Sequence, residues 1–515
     1  MTTLSQSSMV AVLIAFVAYL AFMIVIGAVC MRQTKSTEDY FLGGRGLNGW
    51  VAALSAQASD MSGWLLMGLP GSIYALGTGQ AWVAIGLFLG TVCNWLIIAK
   101  RLRRYTIVAN NSMTLPEFFE NRFQDKRKIL LSICSIVIVI FFLVYTASAL
   151  ASGGKLFNTV FGIDYHIALA IGAAVILVYT FMGGFLAVCT TDFIQGLLML
   201  IGLLTVPIMA YAFVSGNFAN NIQDTLADGG SYHHYMSLFY NGEQPYTFVQ
   251  ILSQLAWGLG YCGMPHILVR FMAIKNEKEI KKSSAVAIVW CGLSLVAAWC
   301  IGVVGRAYLS PNVLEDGKTE SVFIELIQRV FTHNVAVPFI GGIFLCGILA
   351  AIMSTADSQL LVCASSVSKD IYKNIVKKDA SDKKVLMVSR ITVIAVACLA
   401  FVIAWNPKSS IMGLVSDAWA GLGSAFGPAV VLSLFWKRAN LPGTVAGIVT
   451  GGATVLIWDY IPLVHGQTIA VATGLYSLLV GFILSMIVNV IVSLCTKAPD
   501  KAITDAFEKV NNYTE

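Results

Sequence analysis

The stretch SDMSGWLLMGLPG, Ser59–Gly71, lies inside one of the most apolar regions of the chain, yet it carries a carboxylate, two hydroxyls, three glycines and a proline. A membrane helix wants none of these. In hydrocarbon an unpaired backbone group costs several kcal/mol, so non-helical backbone survives only where it lines a cavity or is buried in protein. An acid at that depth is costly as well, and marks a functional site by default. Taken alone, Asp60 also reads as the N-cap of a kinked helix, and the glycines as close-packing residues.

The rest of the chain sets the solvent. Its 515 residues are 57% hydrophobic and 12% charged, with a mean hydropathy of +0.77; soluble domains carry about 25% charged residues. Runs of about 20 apolar residues, the length that crosses the bilayer core, recur from end to end. The chain reads as an all-α polytopic membrane protein. Thirteen spans are expected, near 10–31, 48–77, 80–100, 127–156, 166–183, 189–214, 247–273, 283–306, 321–366, 386–405, 410–436, 442–463 and 469–495. The first is too long for a secretion signal and lacks a basic leader and a convincing cleavage site, so it reads as a retained helix.

Basic residues alternate along the connections as the positive-inside rule requires. Arg32, Lys35 and Arg45 follow the first span, and Lys100, Arg101, Arg103, Arg104, Arg122, Lys126, Arg127 and Lys128 crowd the third connection. Lys275, Lys278, Lys281 and Lys282, then Lys369, Lys373, Lys377, Lys378, Lys383 and Lys384, then Lys437 and Arg438 mark further inside loops. The 215–246 connection has only the acids Asp224, Asp228 and Glu243. An N-terminus outside and a cytoplasmic tail from Lys497 are therefore expected. The net charge of +6 follows topology and does not indicate nucleic acid.

Five spans after the opening stretch the chain reads SQLAWGLGYCGMPHILVRF, Ser253–Phe271, with the same order of Trp, glycines and then Gly-Met-Pro where the first has Gly-Leu-Pro. Two Gly/Pro-interrupted spans in corresponding positions point to an inverted repeat with a substrate site at its midplane. Trp257, Tyr261 and Pro265 fall at i, i+4 and i+8, one face if the segment is helical; the alternative is an interfacial aromatic or a packed core stripe. In AAIMSTADSQ, Ala350–Gln359, Ser354 and Thr355 bring two hydroxyls over the Ala351 carbonyl. Hard cations prefer such oxygens, although Ser/Thr pairs also bond back to their own helix.

No catalytic set competes. The six histidines form no HExxH, no GxxxxGK[ST] phosphate loop occurs, and the eleven cysteines show no CxxC or zinc spacing. A transporter is expected rather than an enzyme or a channel, without a disulfide framework.

The phrases FLGGRGLNGWVAALSAQASDMSGWLLMGLPG, TLPEFFENRF, WGLGYCGMPHILVRFMA and ILAAIMSTADSQLLV together resemble the sodium/solute symporter family, in particular its bacterial sodium/proline branch, over roughly residues 10–495. The resemblance implies a leucine-transporter-like fold. Its parts are an extra helix and first loop (1–45), a five-helix repeat (46–214), an outside loop (215–246), an inverted repeat (247–440), two extra helices (441–497) and a tail (498–515). It implies a sodium site from the carbonyls of Ala58, Met61 and Ala351 with the hydroxyls of Ser354 and Thr355. It implies a proline pocket from Ser62, Gly63, Tyr145, Trp257, Tyr261 and Pro265, with Asp60 holding the broken helix. Asp192 in TTDFIQ, with Asp357 and Ser358, is assigned to ion coupling, with one sodium ion per proline. Sodium-coupled uptake of L-proline across a bacterial cytoplasmic membrane is expected, with no obligate protein partner evident. The alternative is another small solute, such as a different amino acid, a sugar or a vitamin.

Overall fold

The computed structural model describes residues 5–31, 37–182, 184–223, 233–312, 314–315 and 317–513. Arg32, Lys35, Asp224 and Asp228, used above to orient the chain, lie outside the described residues.

Among the described residues, ten helices are long and apolar enough to cross a membrane: Gln6–Cys30, Thr78–Val108, Ile129–Phe161, Phe185–Ala212, Glu277–Leu309, Pro338–Val376, Asp382–Ile403, Ile411–Phe435, Leu441–Tyr460 and Ser477–Cys495. Tyr165–Phe181 is a shorter apolar helix. The two stretches singled out above are not continuous helices, as their glycines and prolines led one to expect.

The first break follows from its residues. Gly49–Asp60 is a helix capped by Asn48, whose side chain accepts from the N–H groups of Trp50 and Val51. It stops at Met61, which has φ −80° and ψ 75°. A widened turn over Trp64–Gly68 follows. The helix continues without a break as Leu69–Leu76, and the widened turn, whose Leu69 N–H reaches back to the Trp64 carbonyl, accommodates Pro70, which has no N–H to give. Gly77, at φ +88°, ends it in a backbone conformation that favours glycine.

The second break has the same grammar and different geometry. Phe248–Leu255 opens with a capping box between Thr247 and Gln250. Ala256–Gly263 then tightens into a 3₁₀ helix, Met264 is extended, and Pro265–Ala273 forms the second half. The expected shared face of Trp257, Tyr261 and Pro265 is corrected by this. At three residues per turn, positions four apart diverge rather than align.

A further boundary moves. The span expected from 321 starts at Pro338. Val322–Gln328 and the turns to Asn334 form a separate piece, because Ala336 turns left-handed at φ +58° and Pro338 can donate no hydrogen bond to a preceding turn. The polar tail is not loose either. Lys501–Asn511 is an amphipathic helix burying Ile503, Phe507 and Val510, with the Arg101 guanidinium 5.0 Å from the Phe507 ring.

The basic loops gather at one end of the bundle. There Arg103 Nε donates to the Ile274 carbonyl at 2.6 Å, and Arg45 donates to the Met272 and Ser112 carbonyls at 2.6 and 2.7 Å. At the opposite end a two-stranded hairpin pairs Tyr240–Asn241 with Gln244–Pro245, and the Thr78 N–H donates to the Tyr235 carbonyl at 2.8 Å. Between the ends, the second broken helix presses backbone to backbone on Thr78–Val108. A Cβ on Gly258 or Gly86 would run into the other segment's main chain, which is why both positions are glycine.

Candidate functional site

The two broken helices meet at mid-bundle beside the Pro338–Ser365 helix and the Ile129–Phe161 helix. Every residue assigned a role above is buried: Ala58, Asp60, Met61, Ser62, Gly63, Tyr145, Asp192, Trp257, Tyr261, Pro265, Ala351, Ser354, Thr355, Asp357 and Ser358.

The oxygens expected to hold a cation converge. Ser354 Oγ lies 2.7 Å from the Ala58 carbonyl oxygen and 3.2 Å from that of Ala351, while Thr355 Oγ1 lies 3.4 Å from the Ala58 oxygen. Without an ion each hydroxyl donates to a carbonyl. With a cation among them the protons turn outward and the same oxygens become ligands. Met61 sits at the helix break one turn away, but among the described residues neither hydroxyl bonds it. The Ser354 and Thr355 hydroxyls thus reach across to another helix, beyond the back-bonding available within their own.

Asp60 joins the two broken helices. Its Oδ2 accepts from the Tyr261 hydroxyl at 2.6 Å, and its carbonyl accepts from the Trp64 indole at 2.9 Å and from the Tyr145 hydroxyl at 3.5 Å. Oδ1 has no hydrogen-bond partner. The Trp64 N–H points at Ser62 Oγ, 3.4 Å away. Gly63 has no room for a side chain, since an added Cβ would sit 2.8 Å from Ser152 Cβ.

The aromatic wall is larger than the sequence indicated. Trp257 stacks on Tyr476 at 5.3 Å and on Trp419 at 6.5 Å. Tyr261 meets Trp419 edge-on at 5.1 Å, and the Trp419 indole donates to the Trp257 carbonyl at 2.8 Å. Divergence of Trp257 and Tyr261 on the 3₁₀ turn lets one stack outward while the other reaches Asp60. Beneath them, His266 lies 6.2 Å from the Tyr145 ring and 5.3 Å from Phe142, with neither ring nitrogen bonded. Trp419, Tyr476, Ser152 and His266 were missed. Only the position of His266 beside Pro265 could have signalled one of them; the others come from helices with no local mark.

The three residues assigned above to ion coupling are brought together around a fourth that was missed. Arg270 donates to Asp192 Oδ2 at 3.2 Å and to Ser358 Oγ at 2.6 Å, and the Ser358 hydroxyl is 3.4 Å from Asp357 Oδ1. Ser55 donates to the same Asp192 oxygen at 2.7 Å. Arg270 stands in the quoted stretch HILVRF, where an arginine amid apolar residues was itself the signal.

No cluster of three or more His, Cys, Asp or Glu suited to a resident metal occurs among the described residues. The site combines hydroxyls, carbonyls and aromatic faces with the buried carboxylates of Asp60, Asp192 and Asp357 and the Arg270 guanidinium.

Comparison with known proteins gives a consistent result. The profile described as "Sodium:solute symporter family" matches residues 40–451. The high-affinity proline transporter PutP of Bacillus subtilis is 45% identical over 493 residues, covering 96% of this chain and 99% of that one. The sodium/proline symporter of Escherichia coli is 42% identical over 505 residues, covering 97% and 96%. Among solved structures, a Na⁺-coupled sialic acid symporter in its substrate-bound outward-open state superposes with a TM-score of 0.76 at 21% identity, over 95% of this chain and 98% of that one. The fold is thus the leucine-transporter-like one expected, and the relatives are transporters, not enzymes. The chain belongs to the Sodium:solute symporter family.

Proposed function

We propose that the chain is a secondary active transporter that couples L-proline uptake to sodium entry by alternating access. The observation that carries this reading is the 2.7 Å approach of Ser354 Oγ to the Ala58 carbonyl, directly beside the Asp60–Tyr261 bridge. The cation oxygens of the first broken helix thus lie next to the aromatic side chains of the second, joined through Asp60 and Tyr261. The named relatives, proline transporters over nearly their whole length, support the substrate.

Sodium is cargo here. Ala58, Ala351, Ser354 and Thr355 hold it, with the Met61 carbonyl completing the set once the helix break adjusts. Because the ligands come from the first broken helix and from the Pro338–Ser365 helix, bound sodium ties the two together and favours the outward-open state. Proline is a zwitterion with an apolar ring. Its carboxylate faces the half-helix N-terminus beyond Ser62 and Gly63, where the peptide dipoles favour an anion. Its ammonium faces free carbonyls at the second break near Pro265, and Trp257 with Tyr145 covers the ring. Asp60 keeps the breaks in register and is not a ligand. Asp192, with Asp357 and Ser358, is a waypoint for the ion, and one sodium moves per proline.

The driving force suffices. A membrane potential contributes about 2.3 kcal/mol per charge per 100 mV, and each 1.4 kcal/mol is tenfold accumulation. The clustering of Lys and Arg at one end supports, by the positive-inside rule, a cytoplasmic basic end with the N-terminus outside a bacterial cytoplasmic membrane. Residues 46–214 and 247–440 are the repeats that rock about the site.

Sealed proteoliposomes test this reading. Labelled proline should accumulate under an inward sodium gradient and stop when the gradient is collapsed. Unlabelled proline should compete, while other amino acids, sugars and vitamins should not. Uptake indifferent to sodium, or competed only by another solute, overturns the assignment.

A further inference from the structure

Arg122, near the end of the TLPEFFENRF stretch, has no part in the site described above, yet it is only 2% exposed. Its helix, Leu115–Phe123, also buries Leu115, Phe118 and Phe119, and Arg122 takes the i+7 place on that same face. The amphipathic pattern therefore carries a charge into the packing. Three rings surround the guanidinium: Cζ lies 5.0 Å from the Tyr105 ring, 4.9 Å from Phe123 and 5.6 Å from Phe507 of the Lys501–Asn511 helix. Nε donates to the Ser433 carbonyl at 3.2 Å.

The rest of this guanidinium is unmatched. Nη1 and Nη2 have no hydrogen-bond partner, and neither has the buried Tyr105 hydroxyl. Glu117 and Glu120 of the same helix pair with Lys369 at 2.8 Å and Lys128 at 3.5 Å, and Glu508 beside Phe507 pairs with Lys437 at 2.6 Å. Aromatic faces attract a cation but accept none of the in-plane N–H bonds of a guanidinium. A buried cation without a counter-charge is costly. A cavity of about 350 Å³ borders these groups, lined in part by Tyr105, Asn110, Asn121, Arg122, Gln124 and Ala506. Among the described residues its lining offers amide, phenol and guanidinium donors and no acid.

We propose that this pocket binds a phosphate-type oxyanion, with Arg122 as its charged fork, the Tyr105 hydroxyl as a second donor and the Lys501–Asn511 helix as its cover. A planar guanidinium meets two phosphate oxygens at once, which selects such an anion over chloride. Phe507 covers the fork and Ala506 beside it lines the cavity, so a small lift of this helix brings the oxygens onto Nη1 and Nη2. The Lys437–Glu508 pair that helps fasten the cover is half exposed, 52% and 46%, and such pairs contribute little. The bound anion ties Arg122 to Tyr105 on the Thr78–Val108 helix. At the basic end of the bundle a lipid headgroup and a free phosphate both present this chemistry, and the test separates them.

The full-length protein is purified in detergent, and its melting temperature is titrated with inorganic phosphate against chloride at constant ionic strength. In a second arm it is melted in phosphatidylcholine vesicles with and without phosphatidylglycerol. The wild type should melt several degrees higher with the anion, and Arg122→Gln should lose that increment. Arg122→Lys should keep only part of it, because an ammonium lacks the fork. Phe507→Ala lifts the cover and should reach half its shift at about tenfold lower anion. Should Arg122→Gln fail to fold, Tyr105→Phe keeps the ring, removes one donor and should need about tenfold more anion. A rise with free phosphate assigns a soluble anion, and a rise with phosphatidylglycerol alone assigns a headgroup. No rise in either arm, or variants that all respond as the wild type does, overturns the site. Transport enters none of these measurements, so the sodium and proline reading stands or falls separately.

Discussion

Thr355 and Ser354 show how one atom decides coupling. Their hydroxyls are 3.4 and 2.7 Å from one carbonyl on a different helix, so in the proposed sodium site removing either takes a ligand from the ion without leaving a large cavity. Thr355→Ala is expected to raise the sodium concentration for half-maximal uptake by about tenfold or more, since losing one bond to a charged group costs about 1.5–3 kcal/mol. Protein levels in the membrane should hardly change, and sodium-titrated uptake at matched expression reads both. Trp257→Ala should weaken proline binding by about 2 kcal/mol or more, some thirtyfold, as for a buried aromatic anchor. Wild-type proline affinity at saturating sodium would make Trp257 mere packing. Tyr261→Phe leaves Asp60 buried and short of its 2.6 Å donor, a loss of about 1–3 kcal/mol that should appear as a lower melting temperature together with reduced uptake.

At the scale of an element, the broken helices work because their neighbours are glycines. Gly258 meets Gly86 and Gly90 with no side chain between, letting a 3₁₀ turn lie against the Thr78–Val108 helix. Gly258→Ala forces the two backbones apart, and overpacking of this kind costs about 1–3 kcal/mol. A lower melting temperature in detergent, with transport falling further than the folded fraction, is the expected outcome. Unaltered melting and uptake would show that the contact is loose. The break at Met61–Gly63 was legible because polar and flexible residues have no other business in hydrocarbon. The 3₁₀ winding of Ala256–Gly263 was not, because glycine-rich sequence permits several tight helices and the contact with Thr78–Val108 selects among them. The split at Ala336 was legible and passed over: Gln328, Arg329, Thr332, His333 and Asn334 precede it, a polar run that marks the end of an apolar segment.

For the whole molecule, the two ends differ in chemistry and the middle holds the site. Charge alternation set the expected orientation, and apolar length set the membrane as solvent. Asp192→Asn, at the junction of four helices, should slow turnover several-fold in coupled uptake while the sodium dependence of proline binding persists. A shift in that dependence with turnover intact would move Asp192 into the cation site itself. What the sequence determined alone was therefore what depends on composition and short-range spacing. That comprises the membrane setting, two matched interruptions, the hydroxyl pair after Ala351 and the need of Asp60 for a partner. What only the tertiary structure decided was which atoms meet across long separations in the chain. Trp419, within Ile411–Phe435, and Tyr476, just before Ser477–Cys495, close the aromatic wall from late in the chain, and Arg270 finds Asp192 from a helix 78 residues away. Such pairings leave no local trace, because burying a charge or a ring restricts which residue must answer it but not where along the chain that residue stands.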